Sequence, residues 1–360
     1  MSIYVGDLSN ISSGYSQAGL NYLMSLYTVG QKFSLFSLGN FVNWRLTPFW
    51  ADPLSICTGE LNIPRDVSIL HQTPDLLSSM PNYCPKSIAI TTLETSCVPN
   101  WIIDSINNSD IDHIVFPSSF NLDCFISSGL NKDCSVIPHS IGDWWWSDDE
   151  YLNANDDRPY TFIYSGSWNT RKNPELVLKA YIEAFPVESN DRCIMFKCVS
   201  GASLDNYFSD IVKNRSDIFL YNEVFNEYQM KWFFAQSDCF VSAHHGEGFG
   251  LGLLQAKLLG KRVIYTDWSA PTEFCSKDYG DYPIEYDLSR VSGMDEQHHH
   301  FRGDDSLFWA NPNYDNLIES MRDAYNKGRV KLDFNINEYR SKYSWETNGR
   351  ILGSLIDSLN

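Results

Sequence analysis

The chain has 360 residues, of which 43% are hydrophobic and 14% aromatic, so we expect two domains of ordinary size with apolar cores. A net charge of −18, without clusters of lysine and arginine, argues against duplex nucleic acid and against an anionic membrane surface as partners. We find no apolar run of about 18 residues and no basic region followed by an apolar stretch at the start. We therefore expect no membrane span and no secretory signal, and we predict a cytoplasmic protein.

The nine cysteines are odd in number and scattered through apolar runs, which indicates buried thiols in a reducing compartment. Cys193 and Cys198 have no second pair at zinc spacing, so we interpret them as strand residues. The tract from His298 to His300 is interpreted as a polar loop, because consecutive histidines cannot all face one ion. We expect no metal.

The first half of the chain alternates short apolar strands with helical patterns. Residues 2–5 form a strand, which a Ser-rich turn with Gly14 and Tyr15 joins to a helix through Leu20 and Leu26. A single glycine in such a turn is equally consistent with a plain turn. Further elements follow at residues 93–101, which include Glu94, at residues 113–120, and at residues 135–141, a strand with a proline.

The polar, acidic residues 148–158 suit an interdomain linker. A strand then leads through Gly166 to the pair Arg171 and Lys172, where a helix begins. Cations are unfavourable at a helix N-terminus unless an anion joins them, so the pair favours a bound anion over a solvated surface.

The most informative segment runs from His245 to Ala256. It lies between an apolar strand at residues 239–243 and a second strand at residues 262–265. Glycines let the backbone approach a ligand, and the N–H groups at the start of the next helix favour a phosphate. Glu247 would repel phosphate but can hydrogen-bond sugar hydroxyls, so the turn suits a sugar joined to a diphosphate. A turn that serves only strand-to-helix packing is the alternative.

Together these segments resemble the retaining GT-B glycosyltransferases of the Glu-x7-Glu family, a large family with sucrose-synthase-like and mannosyltransferase-like members. Glu247 to Leu251 match the donor signature, and residues 309–312 and 343–346 resemble later elements of the family's bacterial polysaccharide branch. Gln255 stands where the family has its second glutamate, and Ser167 stands where it has an arginine. Glutamine keeps hydrogen-bonding capacity but carries no charge.

The resemblance implies an α/β protein of GT-B fold, with two facing Rossmann-like, doubly wound domains, a central cleft, and a C-terminal helix that crosses back to the N-domain. We predict an acceptor-side domain over residues 1–150, a nucleotide-sugar domain over residues 151–340, and the returning helix over residues 341–360.

The resemblance also implies the roles of individual residues. Lys172 and Glu247 are predicted to be catalytic, with Glu94 as a third candidate, at a position where many relatives have a histidine. Lys172 and Arg171 would hold the diphosphate, Glu247 would orient the donor sugar, and Gln255 would bind the ribose. Further donor contacts are predicted at Gly14, Gly166, Gly248, Phe249, Gly250 and Leu251. Sugar or acceptor contacts are predicted at Tyr15, His71 and His245.

The predicted function is transfer of a sugar from a nucleoside diphosphate sugar to an acceptor hydroxyl with retention, in polysaccharide or glycoconjugate synthesis, without metal or cofactor. We expect a saccharide or lipid-linked saccharide acceptor, held by loops of the aromatic and proline-rich residues 40–80. Two alternatives stay open. One is a non-catalytic nucleotide-sugar-binding module, and the other is a phage-type nucleic acid base glycosyltransferase.

Overall fold

The computed structural model describes residues 2–8, 13–38, 66–146, 157–199, 208, 210–211, 214–292, 304, 306–329, 332 and 335–359. Three predicted features therefore lie wholly or largely outside the described residues. They are the linker at residues 148–158, the histidine tract at residues 298–300, and the part of the 40–80 region that precedes residue 66.

The chain divides into two compact units. The first comprises Met1–Trp146 together with Ile336–Asn360, and the second comprises Ser147–Asn335. Each contains one six-stranded parallel sheet flanked by helices, so the predicted α/β class with two doubly wound domains is confirmed.

The sheet of the first unit has the strand order β2-β1-β3-β4-β5-β6. Its strands are β1 (Ser2–Gly6), β2 (Phe33–Ser37), β3 (Val67–His71), β4 (Lys86–Ile90), β5 (His113–Phe116) and β6 (Asp133–Val136). All residues of β1 and β3 are buried, as expected for parallel strands covered on both faces. The direction of winding reverses between β1 and β3, and the carboxyl ends of strands at such a reversal are the usual ligand position.

Among the described residues, three α-helices follow strands of this sheet: α1 (Gly14–Thr28), α2 (Asn100–Asn107) and α3 (Ser119–Ser127). The hydroxyl of Ser13 accepts a hydrogen bond from the backbone N–H of Ser16 at 3.0 Å, which caps α1. Ser118 caps α3 in the same way, through the N–H of Asn121. These caps explain why both Ser-rich turns end where a helix begins.

In the second unit, further along the chain, the sheet order is β12-β11-β10-β7-β8-β9, again all parallel. The strands are β7 (Tyr160–Ser165), β8 (Arg192–Lys197), β9 (Ile218–Tyr221), β10 (Cys239–Ser242), β11 (Arg262–Thr266) and β12 (Tyr282–Ile284). An antiparallel hairpin of β13 (Tyr286–Arg290) and β14 (Phe308–Pro312) follows. Here the winding reverses between β10 and β7.

The α-helices of the second unit whose bounds are described are α4 (Pro174–Ala184), α5 (Glu227–Ala235), α6 (Leu251–Leu258) and α7 (Tyr314–Asn326). The core joins the apolar faces of α4 and α7 to strands β7 and β8, and its largest members include Phe162, Tyr164, Tyr181 and Phe196. Cys193 lies in β8 and Cys198 follows that strand, both buried, as predicted.

A fully buried ion pair fixes α6 beneath its glycine-rich turn. The Nζ of Lys257 lies 2.8 Å from each carboxylate oxygen of Asp281, the residue just before β12. Both side chains are wholly buried. Burial raises the pKa of Asp281 to about 6, although Lys257 opposes this shift. Breaking either half would leave an uncompensated buried charge, so the pair ties α6 to the edge of the sheet.

The chain returns to the first unit through α8 (Ile336–Tyr343) and α9 (Trp345–Leu359). Helix α8 begins five residues before the predicted boundary at residue 341. Helix α9 packs along α1, and the indole N–H of Trp345 donates to the side-chain oxygen of Asn21 at 2.8 Å. A Cβ added at Gly349 would lie 2.1 Å from the carbonyl oxygen of Ser25, so the helices touch where only glycine fits.

Among the residues that the structure describes, no helix is both long and apolar enough to cross a membrane.

Candidate active site

The two turns that carry most predicted donor residues meet at the winding reversal of the second sheet. Strand β10 pairs in parallel with β7, so the carboxyl ends of both strands lie at the same end of the sheet. The turn after β7 and the turn after β10 are therefore neighbours. The first turn carries Gly166, Arg171 and Lys172, and the second carries His245 to Gly250. Ligands of doubly wound sheets bind at this position.

Lys172 and Glu247 form a two-pronged ion pair across these turns. The Nζ of Lys172 lies 2.5 Å and 2.6 Å from the two carboxylate oxygens of Glu247. Arg171 donates from Nη1 to the backbone oxygen of Gly246 at 2.8 Å, and the same nitrogen is 3.7 Å from Glu247. The structure therefore brings three of the predicted donor-site residues into direct contact.

The ionised form of Glu247 is favoured despite its burial. Burial by itself would raise the pKa of this carboxyl, but Lys172, Arg171 and His244 outweigh it, so the pKa lies below the usual glutamate value. The backbone N–H of Glu247 donates to the hydroxyl of Ser269 at 3.0 Å, which fixes the turn itself. At neutral pH the site thus holds an oriented carboxylate between two cations.

His244 lies behind this ion pair and is completely buried. Its Nδ1 is 3.0 Å from the hydroxyl of Ser242, and its backbone oxygen accepts from Thr266 at 2.6 Å. Burial lowers its pKa to about 4, so the imidazole is neutral at pH 7, although the charge of Glu247 acts in the opposite direction. His244 is therefore a packing residue of the turn.

The glycine-rich turn ends at the start of α6. Gly250 has a φ of +97°, a conformation that side-chain-bearing residues rarely adopt, and a Cβ there would lie 3.0 Å from Leu253. Gly248 and Phe249 are buried, while Leu251 opens the helix. Because Gly250 supplies no side-chain cap, the first N–H groups of α6 have no capping side chain, which suits an anion. Gln255 is half-buried on the next turn of the helix.

His245 is held from several sides. Its ring stacks on Trp309 with centroids 4.5 Å apart and planes inclined by 15°, and its Nδ1 lies 2.6 Å from the backbone oxygen of Ala310. Its backbone N–H donates to the oxygen of Arg171 at 2.8 Å. Burial lowers the pKa of His245, so the neutral ring prevails near pH 7. His245 therefore connects its own turn to β14. This turn, from His245 to Gly250, is called the donor turn after its predicted role.

In the first unit, three predicted residues gather at the carboxyl ends of β3 and β4. The hydroxyl of Tyr15 donates to the backbone oxygen of Thr92 at 3.2 Å, in the loop that carries Glu94. Burial raises the pKa of Tyr15, and the nearby charge of Glu94 adds to this effect. Glu94 itself is half-buried in the irregular segment before α2, and Gly14 is the exposed first residue of α1.

His71 completes this group but is packed among aromatic rings. Its Nδ1 is 2.5 Å from the hydroxyl of Tyr4, and its ring lies 5.3 Å from that of Tyr15. Tyr22 contacts it edge-on at 5.8 Å. Burial lowers the pKa of His71 to about 3, so the imidazole stays neutral at physiological pH. It orients Tyr15 rather than carrying charge.

Comparisons with known proteins identify the architecture. No protein-family model matches the sequence, and the search of curated proteins gives no match. Solved structures do match. Sucrose-phosphate synthase from Thermosynechococcus elongatus has a TM-score of 0.69 at 11% identity, covering 100% of this chain and 99% of that chain. Alr3699/HepE from Anabaena, in complex with UDP and glucose, has a TM-score of 0.60 at 11% identity, covering 99% and 100%.

The chain has the GT-B fold. The pneumococcal O-GlcNAc transferase GtfA, in complex with UDP and GlcNAc, also matches, with a TM-score of 0.55 at 13% identity over 83% of this chain. The chain spans 58% of the length of that transferase. At these identities the likeness establishes the GT-B fold.

Ser167 stands where the family resemblance would have an arginine. Ser167 is exposed and its carbonyl accepts a hydrogen bond from the hydroxyl of Tyr164 at 3.1 Å. Arg171 instead places its guanidinium on the turn of Glu247. Arg171 thus lies four residues after Ser167 and contacts the turn that carries Glu247.

Ser269 and Trp309 also support the turn from His245 to Gly250, although no sequence pattern indicates this role. Ser269 lies 22 residues beyond Glu247, and its one unusual feature is a φ of +67°, which only coordinates reveal. Trp309 belongs to the motif at residues 309–312, but its stacking partner His245 lies far away in the sequence. Contacts of this kind depend on sheet order, which local periodicity does not encode.

Proposed function

We propose that this protein is a glycosyltransferase that moves a sugar from a nucleoside diphosphate sugar to an acceptor hydroxyl. The observation that carries the proposal is the cluster of Lys172, Arg171 and Glu247 beside a glycine turn that opens a helix. Two GT-B neighbours with UDP and a sugar bound support the same donor class.

In this proposal the donor diphosphate lies against the start of α6, with Lys172 and Arg171 beside it. Fixed cations and backbone N–H groups stabilise the negative charge that develops on the leaving diphosphate. Lys172 has three N–H donors, so it can contact a phosphate oxygen and still contact Glu247. Glu247 would then accept hydrogen bonds from the donor sugar, and Gln255 would bind the ribose. Gly14, Gly166 and Gly248 would offer backbone contacts.

Transfer would retain the anomeric configuration, as the family resemblance implies. The acceptor oxygen bonds to the anomeric carbon on the face from which the diphosphate leaves, and the leaving phosphate oxygen takes the acceptor proton. No protein nucleophile is needed in this step. Glu94 is proposed to face the reacting sugars, with Tyr15 and His71 supporting it. Because two cations and a helix start already face the leaving group, we propose a metal-independent enzyme.

The proposed acceptor is a saccharide or lipid-linked saccharide used in polysaccharide synthesis in the cytoplasm. This proposal rests on the resemblance of residues 309–312 to the bacterial polysaccharide branch, and on a similar resemblance of residues 93–101 to an N-domain element of that branch. The net charge of −18 weighs against nucleic acid as the acceptor.

A two-stage experiment tests the proposal. Thermal unfolding is first measured with UDP-, GDP-, ADP- and dTDP-sugars, because a ligand that binds only the folded state raises the midpoint. The best donor is then incubated with oligosaccharides, lipid-linked sugars and hydroxymethylated DNA, with and without EDTA, and products are detected by mass spectrometry. We expect a sugar-bearing product, and unchanged yield in EDTA. Binding without product would indicate a non-catalytic module, and transfer to DNA alone would indicate the nucleic acid class.

A further inference from the structure

An open cavity of about 530 Å³ lies in the second unit at the N-terminal ends of α4 and α7. None of the donor roles proposed above, for Lys172, Arg171, Glu247 or Gln255, uses it. Its polar lining includes Asn173, His245, Asp287, Asn311 and Asp315, and Tyr314 adds an aromatic ring. Pockets of this size hold small molecules, and their few polar groups decide which ones.

The wall formed by the β13–β14 hairpin is fixed in place. Asp287 and Asn311 are direct cross-strand partners, so their side chains project from the same face of the hairpin. Ala310, the neighbour of Asn311, donates its N–H to the backbone oxygen of His245 at 3.0 Å and accepts from the His245 ring at 2.6 Å. The hairpin and the donor turn therefore form one preorganised surface.

His245 presents a defined hydrogen-bonding pattern. A carbonyl oxygen can only accept, so the contact with Ala310 requires the proton on Nδ1. The neutral ring, which burial favours, then has Nε2 as an acceptor. Because the ring is also stacked on the buried Trp309, this acceptor is held in one orientation.

Asn173 adds a polar group at the residue just before α4. Its φ of 52° is in the left-handed region, where glycine is favoured, and its side chain makes no capping hydrogen bond to α4. Asparagine tolerates this conformation better than most residues, and because its amide does not cap α4, the amide can serve the cavity that Asn173 lines.

The charge of the lining selects the ligand class. The described residues that line the cavity include two carboxylates and no lysine or arginine, which disfavours phosphate and carboxylate ligands. No group of three His, Cys, Asp or Glu side chains in the described ranges is placed to hold a metal ion, which disfavours a cation site. Amides, carboxylates, an imidazole acceptor and one aromatic ring match the hydroxyls and C–H faces of a sugar.

We propose that this cavity is a separate binding site for a neutral saccharide. The site holds a sugar through Asp287, Asn311, Asn173 and Nε2 of His245, with Tyr314 against a ring face. It is distinct from the diphosphate contacts of Lys172. The proposal concerns binding alone, so it does not depend on catalysis or on a nucleotide donor.

Ligand-observed saturation-transfer NMR tests the proposal. The full chain is titrated with glucose, N-acetylglucosamine, maltose and lactose, each with and without an excess of UDP. The variants are the double change Asp287→Ala with Asn311→Ala, the single change Asn173→Gly, and Lys172→Ala. Asp278→Ala is the matched control, because Asp278 is an exposed aspartate of the same unit outside the cavity. Asn173→Gly removes the amide and relieves the left-handed backbone, so it should fold at least as well as the wild type.

We expect at least one sugar to bind the wild type in the presence of UDP. Its affinity should fall about tenfold in the double variant and by a smaller, measurable factor in Asn173→Gly. Asp278→Ala should leave both sugar binding and UDP binding unchanged, whereas UDP binding should weaken in Lys172→Ala. Sugar binding that survives both cavity changes, or that disappears when UDP is added, would overturn the proposal. Failure to bind UDP, with sugar binding intact, would count against the proposed donor function alone.

Discussion

Lys172 and Glu247 stand 75 residues apart in the sequence, yet the lysine Nζ contacts both oxygens of the glutamate carboxylate. The glutamate thereby neutralises one of the two cations assigned to the donor diphosphate. In the proposed mechanism a bound diphosphate would therefore share Lys172 with Glu247, whose carboxylate holds the lysine in position. Loss of either partner should affect the other, which makes the pair the centre of the first two predictions.

Replacing Lys172 with alanine should lower both donor hydrolysis and sugar transfer by about 100-fold in kcat/KM, or about 2.7 kcal/mol in transition-state stabilisation. The reason is the loss of a fixed cation beside the leaving diphosphate. Steady-state kinetics with the donor found by thermal shift would measure it. Lys179→Ala is the matched control, since Lys179 pairs on the surface with Glu175. Equal activity of Lys172→Ala and wild type would contradict the assignment.

The Glu247→Gln variant should be less stable than wild type at pH 7 by about 1–3 kcal/mol, because Lys172 and Arg171 lose their carboxylate. The folded-state pKa of Glu247 is lowered, so its stabilising contribution is fully present above the ordinary value of 4.5 and is lost as pH falls through the folded-state pKa. The difference between variant and wild type should therefore shrink on acidification.

Urea unfolding of both proteins at pH 7 and at about pH 3.5 measures this difference. A gap in the free energy of unfolding that stays constant between the two pH values would show that the carboxylate charge does not stabilise the fold.

Glu94→Gln tests the proposed catalytic role in the first unit. The amide keeps the shape of the side chain but removes its charge, so a carboxylate that faces the reacting sugars should lose turnover by more than threefold, about 0.7 kcal/mol. The pH profile of kcat should change as well if the charge is used. Asp104→Asn, an exposed change on α2, serves as the control. Turnover within threefold of wild type would remove Glu94 from the mechanism.

Gly349→Ala should destabilise the protein strongly, by about 3 kcal/mol, because the new methyl group would overlap the backbone of Ser25 and force α9 away from α1. Gly353→Ala is the matched comparison on the same helix. There the nearest atom is the flexible Gln31 side chain at 3.1 Å, so we expect a change within about 1 kcal/mol. Chemical denaturation gives both values, and similar losses for the two variants would count against close helix contact at Gly349.

Several features were predictable from the sequence because they depend on local patterns. The strands β1, β7, β10 and β11 are apolar runs, and the helices α1 and α6 follow glycine turns with apolar residues at helical spacing. The order of these elements predicted parallel doubly wound sheets. Glu247 and Lys172 were identified through the family resemblance of the turns that follow β10 and β7.

Tertiary structure alone decided what these residues touch. The pairing of β10 with β7 brings residues 172 and 247 together, and no sequence period reports which strands are neighbours. The same holds for His245, which meets Trp309 only because β14 passes beside the donor turn. His71 has the residue type of a catalytic base, but burial among Tyr4, Tyr15 and Tyr22 keeps it neutral. Residue types and their local order therefore determined the helices, the strands and the candidate site residues. Desolvation and contacts between distant segments determined the charge states of those residues and the side chains that they contact.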